Sequence, residues 1–253
     1  MFSLKKKTAV VTGAGSPRGI GRAIALALAS QGADVAVCDI DLAGVEQLAA
    51  EIKGAGRQAL AYRADVTCAA DIERMVADIR QKWGKLDILV NNAGITQPVK
   101  VLDMIEADWD RVLNVNLKGT FLCTKAVLPG MISQNYGRIV NMGSVSGKRG
   151  GGVFGGAHYS AAKAGIHAFA KALAREISQY GITVNSVAPG LIATDIRGGL
   201  ESPEDQKRMS TEIPIARMGT PEEVAAAICF LASDEAGYIT GEEIDINGGS
   251  HMD

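Results

Sequence analysis

Short runs of β-branched and other apolar residues alternate along this chain with longer segments whose apolar positions recur at helical spacing. Thr8-Ala-Val-Val11 reads as a strand and Gly19 to Ser30 as an alanine-rich helix. Asp34-Val-Ala-Val-Cys38 reads as a second strand, and a helix follows from Leu42 to Lys53 with Asp41 as its candidate cap. Gln58 to Tyr62, Ile88 to Val90, Arg138 to Val140 and Ile182 to Val187 continue the strands, and Glu243 to Ile246 closes the series. Strands that alternate with helices pair in parallel through right-handed crossovers, so the fold class is α/β with a doubly wound parallel sheet. No repeat, low-complexity tract or linker divides residues 1–253, which read as a single domain. Two stretches escape the pattern. Gly147 to Ala157 is glycine-rich, and Ala193 to Met218 is a candidate small substrate lid.

Composition narrows the classes. Apolar residues make up 47% and charged residues 21%, enough for a sizeable core and unlike a disordered chain. A formal net charge of −2 and the lack of a basic stripe exclude nucleic acid and anionic membrane as expected partners. The four cysteines, Cys38, Cys68, Cys123 and Cys229, have neither metal-ligand nor disulfide-framework spacing, so no metal is expected. With no export signal or membrane-length apolar run, the expected setting is a reducing cytoplasm.

The first strand runs into Thr12-Gly-Ala-Gly-Ser-Pro-Arg-Gly-Ile-Gly21, where a helix starts. Glycines there let the main chain turn sharply and approach a pyrophosphate, while the helix N-terminus supplies N–H groups and partial positive charge. Gly13, Ser16, Arg18, Gly19 and Ile20 are the candidate phosphate-turn residues. The second strand ends at Asp39, placed to accept from ribose hydroxyls and to repel a 2′-phosphate, which favours NAD. Arg18 pulls towards NADP, because its guanidinium could pair with that phosphate; its plainer reading is a solvated loop residue.

Tyr159-Ser-Ala-Ala-Lys163 puts a phenol and an ammonium on one helix face, and Ser144 lies fifteen residues before the tyrosine. A cation at that position lowers the tyrosine pKa and makes it usable as a general base.

These residues, taken with Asn91-Asn-Ala-Gly94, Asn116 in Asn-Val-Asn-Leu-Lys-Gly119, Pro189-Gly190 and the ending Gly241 to Gly249, resemble the short-chain dehydrogenase/reductase family over nearly the whole chain. The resemblance implies a Rossmann-like domain that binds a dinucleotide and carries out the catalysis. It implies that Asp65 and Val66 flank adenine and that Asn92, Ala93 and Gly94 line the cofactor site. Pro189, Gly190, Ile192 and Thr194 are then expected to hold the nicotinamide carboxamide. Asn116, Ser144, Tyr159 and Lys163 become the catalytic set. In it Tyr159 moves the proton and Ser144 donates to the substrate oxygen. Lys163 serves both the tyrosine and the nicotinamide ribose, and Asn116 holds a relay water. The chain departs from the family in having five residues, Ala14 to Arg18, where three are usual, and a slightly long spacing from Ser144 to Tyr159.

The plainer readings are structural ones. Ser144 can close a turn, Asn116 can sit at a kink, and Tyr159 can be a half-buried helix tyrosine. His158 reads as packing, and His167 and His251 as lacking a partner constellation. Lys148 and Arg149 read as solvated, with contact to an anionic substrate as the alternative, and Trp83 and Trp109 as packing anchors. The expectation is an NAD(H)-dependent oxidoreductase acting on a small-molecule secondary alcohol or its ketone, a polyol, sugar or hydroxy acid. An NADPH-dependent 3-oxoacyl-thioester reductase is the alternative within enzymes, and a non-catalytic dinucleotide sensor the alternative outside them. The resemblance also implies a homo-oligomer, commonly a tetramer.

Overall fold

The computed structural model describes residues 2–151, 155–194 and 202–252, with 203 and 206–208 described by their backbone alone. Seven strands form one parallel sheet: β1 Thr8–Thr12, β2 Asp34–Asp39, β3 Ala59–Arg63, β4 Ile88–Asn91, β5 Gly137–Met142, β6 Ile182–Pro189 and β7 Glu243–Ile246. Their order is β3-β2-β1-β4-β5-β6-β7, so the chain reverses its direction of winding between β1 and β4. A crevice opens at such a switch point, beyond the carboxyl ends of the strands. The α-helices are α1 Ile20–Ser30, α2 Leu42–Gly54, α3 Ala69–Trp83, α4 Glu106–Leu113, α5 Gly119–Gln134, α6 Val145–Arg149, α7 Ala157–Ile177, α8 Pro203–Ser210 and α9 Pro221–Leu231. This is the Rossmann-like, doubly wound α/β fold.

Alternation along the strands divides the core in two. Ala9, Val11, Val35, Val37, Ile88 and Val90 pack towards α1, α2 and α9, where Ile24, Leu28, Leu48 and Ile228 meet them. Val10, Ala36, Leu89 and Ile139 face α3, α5 and α7, against Ile72, Met75, Met131 and Leu173. Sheets covered on both faces need apolar residues at every strand position, and β1 is buried throughout.

Several elements differ from the sequence pattern in detail. Asp41 occupies the N-cap of α2 without a side-chain cap hydrogen bond; its own N–H donates to Asp39 Oδ1 at 3.1 Å. Trp83 packs against the α3–α5 core, whereas Trp109 on α4 is 39% exposed, because α4 lies outside both packed layers. The glycine-rich stretch and the candidate lid lie partly outside the described residues; within the lid range, α8 is formed. Among the described residues no helix is long and apolar enough to cross a membrane.

Candidate active site

A cleft of about 1430 Å³ runs along the carboxyl ends of the strands. Its first wall is the turn after β1. Gly13 has φ +67°, and a Cβ on it would lie 2.5 Å from Ala93 Cα, so only glycine fits. The side chain of Asn92 donates to the carbonyls of Thr12 and Gly13 at 2.9 and 2.8 Å, locking this turn to the end of β4. Thr12 Oγ1 accepts from the N–H groups of Asn92 and Ala93. The N-terminus of α1 has no acidic residue in its first turn, which leaves its partial positive charge uncompensated by the protein.

Asp39, at the end of β2, holds its carboxylate on the cleft wall. Oδ2 accepts from Gly15 N–H at 2.9 Å and Oδ1 from Asp41 N–H at 3.1 Å. Of the residues expected from the sequence to contact a dinucleotide, Gly13, Ser16, Gly19, Ile20, Asp39, Asp65, Val66, Asn92, Ala93, Gly94, Pro189, Gly190, Ile192 and Thr194 all line this cleft. Arg18 is exposed on the turn and does not line it.

The four expected catalytic residues also meet there. Ser144 follows β5 and caps α6, its Oγ accepting from Ser146 N–H at 3.1 Å. The plain reading of Ser144 as a cap is therefore correct, and the cap fixes the hydroxyl beside Tyr159. Lys163 is buried and donates to the Met142 carbonyl at 2.7 Å. Asn116 lies in a π-turn, Asn114–Lys118, between α4 and α5; its Nδ2 donates to the carbonyls of Ile95 and Val112, both at 2.9 Å. π-turns inside helices recur at functional sites. Asn116 Oδ1 is buried with no hydrogen-bond partner, and a Cβ on Gly94 would lie 2.6 Å from it and 3.4 Å from Lys163 Nζ. Gly94 is therefore the gap that lets the amide and the ammonium share one space.

Electrostatics differ from the sequence expectation at one point. Burial pushes the Tyr159 phenol up, and its hydrogen bond with Ser144 pulls the other way. Burial likewise lowers Lys163 to about 7. Lys163 Nζ stands 5.6 Å from the centre of the Tyr159 ring, so in the protein alone desolvation of the phenol outweighs help from the ammonium.

Two further side chains depart from their sequence readings. Lys148 is buried rather than solvated, with Nζ 2.8 Å from Asp245 and 3.9 Å from Glu243 of β7. Arg149 is exposed, as its sequence reading has it, and also lines the cleft, its guanidinium donating to the Ser250 carbonyl at 3.1 Å. His167 has a partner constellation after all: Ser186 Oγ at 2.9 Å from Nδ1, Glu243 at 3.7 Å from Nδ1, and the main chain of Ser144 against Nε2. Those partners lie 19 to 76 residues away in sequence, which is why no local pattern announces them. The cleft also includes Ile40, Thr67, Val115 and Ser146, each within two residues of one that the motifs single out.

Residues 13–251 match a family model described as enoyl-(acyl carrier protein) reductase. The chain is 46% identical over 247 residues to an uncharacterized short-chain type dehydrogenase/reductase of Sinorhizobium fredii, covering 97% of this chain and 98% of that one. It is 44% identical over 251 residues to the 3-oxoacyl-[acyl-carrier-protein] reductase FabG of Escherichia coli, covering 99% and 100%. Among solved structures it is similar to a protein of Sinorhizobium meliloti assigned as a short-chain alcohol dehydrogenase. The TM-score there is 0.91 at 39% identity, over 98% of each chain.

Proposed function

The chain belongs to the short-chain dehydrogenase/reductase family of oxidoreductases, and from that premise we propose that it interconverts a secondary alcohol and its ketone with NAD(H), Tyr159 acting as general acid and base. The observation that carries this reading is the convergence of Asn116, Ser144, Tyr159 and Lys163 on a cleft that continues to Asp39. The residues present fit a nicotinamide dinucleotide. The α1 N-terminus is free of acids, Asp39 presents a carboxylate held by two amides, and Asn116 Oδ1 is an unsatisfied acceptor beside Lys163. When bound, the nicotinamide supplies the hydride acceptor for oxidation and the hydride donor for reduction.

The protein's own groups handle the proton and the oxygen. In oxidation the Tyr159 phenolate takes the proton from the alcohol oxygen; in reduction the phenol returns it. Ser144 Oγ donates a hydrogen bond to that same oxygen and is held still by its cap geometry. Lys163 orients the ribose and stabilises the phenolate once the site is filled. Asn116 Oδ1 is the acceptor for a water through which the Lys163 proton reaches solvent.

Asp39 supports NAD over NADP, since a 2′-phosphate there would meet a carboxylate. A polyol, sugar or hydroxy acid is the substrate class this suggests. A second reading, an NADPH-dependent 3-oxoacyl-thioester reductase, is favoured by the names of the Escherichia coli and Staphylococcus aureus relatives. A homo-oligomer belongs to the same proposal, supported by Val101, Leu102, Ile105, Trp109 and Phe121, which stand exposed around α4 and α5. A cytoplasmic setting does too, supported by four free cysteines.

Fluorescence titration with NADH and NADPH separates the two readings. NADH should bind at least about tenfold more tightly, a difference of about 1.4 kcal/mol, and Asp39→Asn should narrow the gap. Preference for NADPH in the wild type would bring the 3-oxoacyl reading to the front.

A further inference from the structure

We infer that His167 is a positioning residue for Ser144, holding its main chain from behind the cleft and tying it to the edge strand β7. The inference rests on the proposed role of Ser144 towards the substrate oxygen. His167 is on α7 one turn beyond Lys163, is 4% exposed, and does not line the cleft. Its ring packs against Gly143: a Cβ there would fall 2.1 Å from His167 Cε1 and 2.5 Å from Nε2. Gly143 is in turn fixed by its N–H, which donates to the carbonyls of Asn141 and Val187.

The neighbours of Nδ1 favour a proton on that nitrogen. The Ser186 hydroxyl donates to the Glu242 carbonyl, so Ser186 Oγ is free to accept, and Nδ1–H donates to it at 2.9 Å. The Glu243 carboxylate 3.7 Å from Nδ1 favours the proton on that nitrogen. Nε2 then faces the main chain of Ser144, with its N–H at 3.5 Å and its carbonyl at 3.4 Å, both long contacts in a buried setting. A charged ring is disfavoured by burial, the largest cause, and by Lys163 and Lys148, and favoured by Glu243 and by the Ser144 carbonyl.

The same strand holds the other end of the segment. Glu243 and Asp245 both engage Lys148 in the last turn of α6, and Lys171 closes on Glu243 at 2.8 Å. The five residues from Ser144 to Lys148 are thus anchored at both ends to β7, through His167 at the first and Lys148 at the last. A shallow cavity of about 470 Å³, bordered by Lys171 and His251, reaches this anchorage and shares no lining residue with the cleft.

The test uses His167→Phe, which keeps the ring and loses both hydrogen bonds, and His167→Gln, whose amide can still reach Ser144. Each is made alone and with Ser144→Ala, and assayed for NADH-linked reduction of acetoacetate, the keto partner of a small hydroxy acid. The expected result is a kcat about tenfold lower for His167→Phe, NADH affinity within twofold, and recovery to within threefold in His167→Gln. In the Ser144→Ala background His167→Phe should add less than twofold. A second readout needs no substrate: hydrogen exchange of the segment from Gly143 to Gly147 should speed up in His167→Phe. Unchanged exchange, an unchanged kcat, or a loss equally large without the Ser144 hydroxyl would overturn the inference. Full activity in Ser144→Ala alone would instead remove the proposed role of Ser144.

Discussion

Around the first turn, from Gly13 to Gly21, positions are fixed by hydrogen bonds to the main chain, those from the Asn92 and Asp39 side chains included, and by glycines that leave no room for a side chain. Around Lys163 they are fixed by buried polar side chains: Asn116, Ser144, His167 and Lys163 itself. The first end is rigid because the backbone has only one way to lie there. The second is rigid only while each buried polar group keeps its partner, and most of those partners come from another element of the fold. Damage at the first end should therefore appear as lost stability and lost nucleotide binding together. Damage at the second should appear mainly in turnover.

Gly13→Ala is the largest expected break of that contrast. Its Cβ would overlap Ala93 at 2.5 Å in a φ of +67°. Positive φ costs an alanine about 1–2 kcal/mol and overpacking about 1–3 kcal/mol more. A fall in melting temperature of roughly 5–15 °C is expected for a chain of this size, with NADH binding weakened alongside. Calorimetry and the fluorescence titration check both; a variant that melts like the wild type would show that the turn is softer than its packing indicates.

A smaller effect sharpens the other side. Burial holds Lys163 to about 7 in the folded chain against 10.5 for an ordinary lysine. Between those values the unfolded chain binds the additional proton, so the Lys163 contribution to stability improves as pH rises from 7 towards 10. Urea unfolding at pH 6, 7.5 and 9 should show the wild type gaining on Lys163→Met as pH rises. Parallel curves would mean that Lys163 titrates in the ordinary lysine range.

The same contrast governs what could be read from the sequence. The glycine turn, the strand ending at Asp39 and the Tyr159–Lys163 pair are local patterns, each fixed by residues within a turn or a strand of one another, and the structure gathers them on one cleft. Strand boundaries agree to within about two residues, because alternation and burial on both faces leave little freedom. What escaped was every feature whose partner is remote. Lys148 looks like a loop lysine until Glu243 and Asp245 come alongside it, some 95 residues later. His167 looks like a helix-interior histidine until β6 and β7 bring Ser186 and Glu243 to its ring. Trp109 carries the opposite lesson, since a large aromatic on an amphipathic helix reads as core, yet α4 leaves it partly in solvent. The phenol of Tyr159 was expected to be lowered by its neighbouring ammonium; burial, which periodicity cannot measure, moves it the other way.

The central claim is that Tyr159 moves the proton while the rest of the cleft holds the nucleotide. The most direct measurement is therefore steady-state turnover of Tyr159→Phe beside its NADH dissociation constant. The account predicts a kcat lower by about a hundredfold or more, in the range that general acid–base groups contribute, with NADH affinity within about threefold of the wild type. Turnover at the wild-type rate in that variant would contradict it.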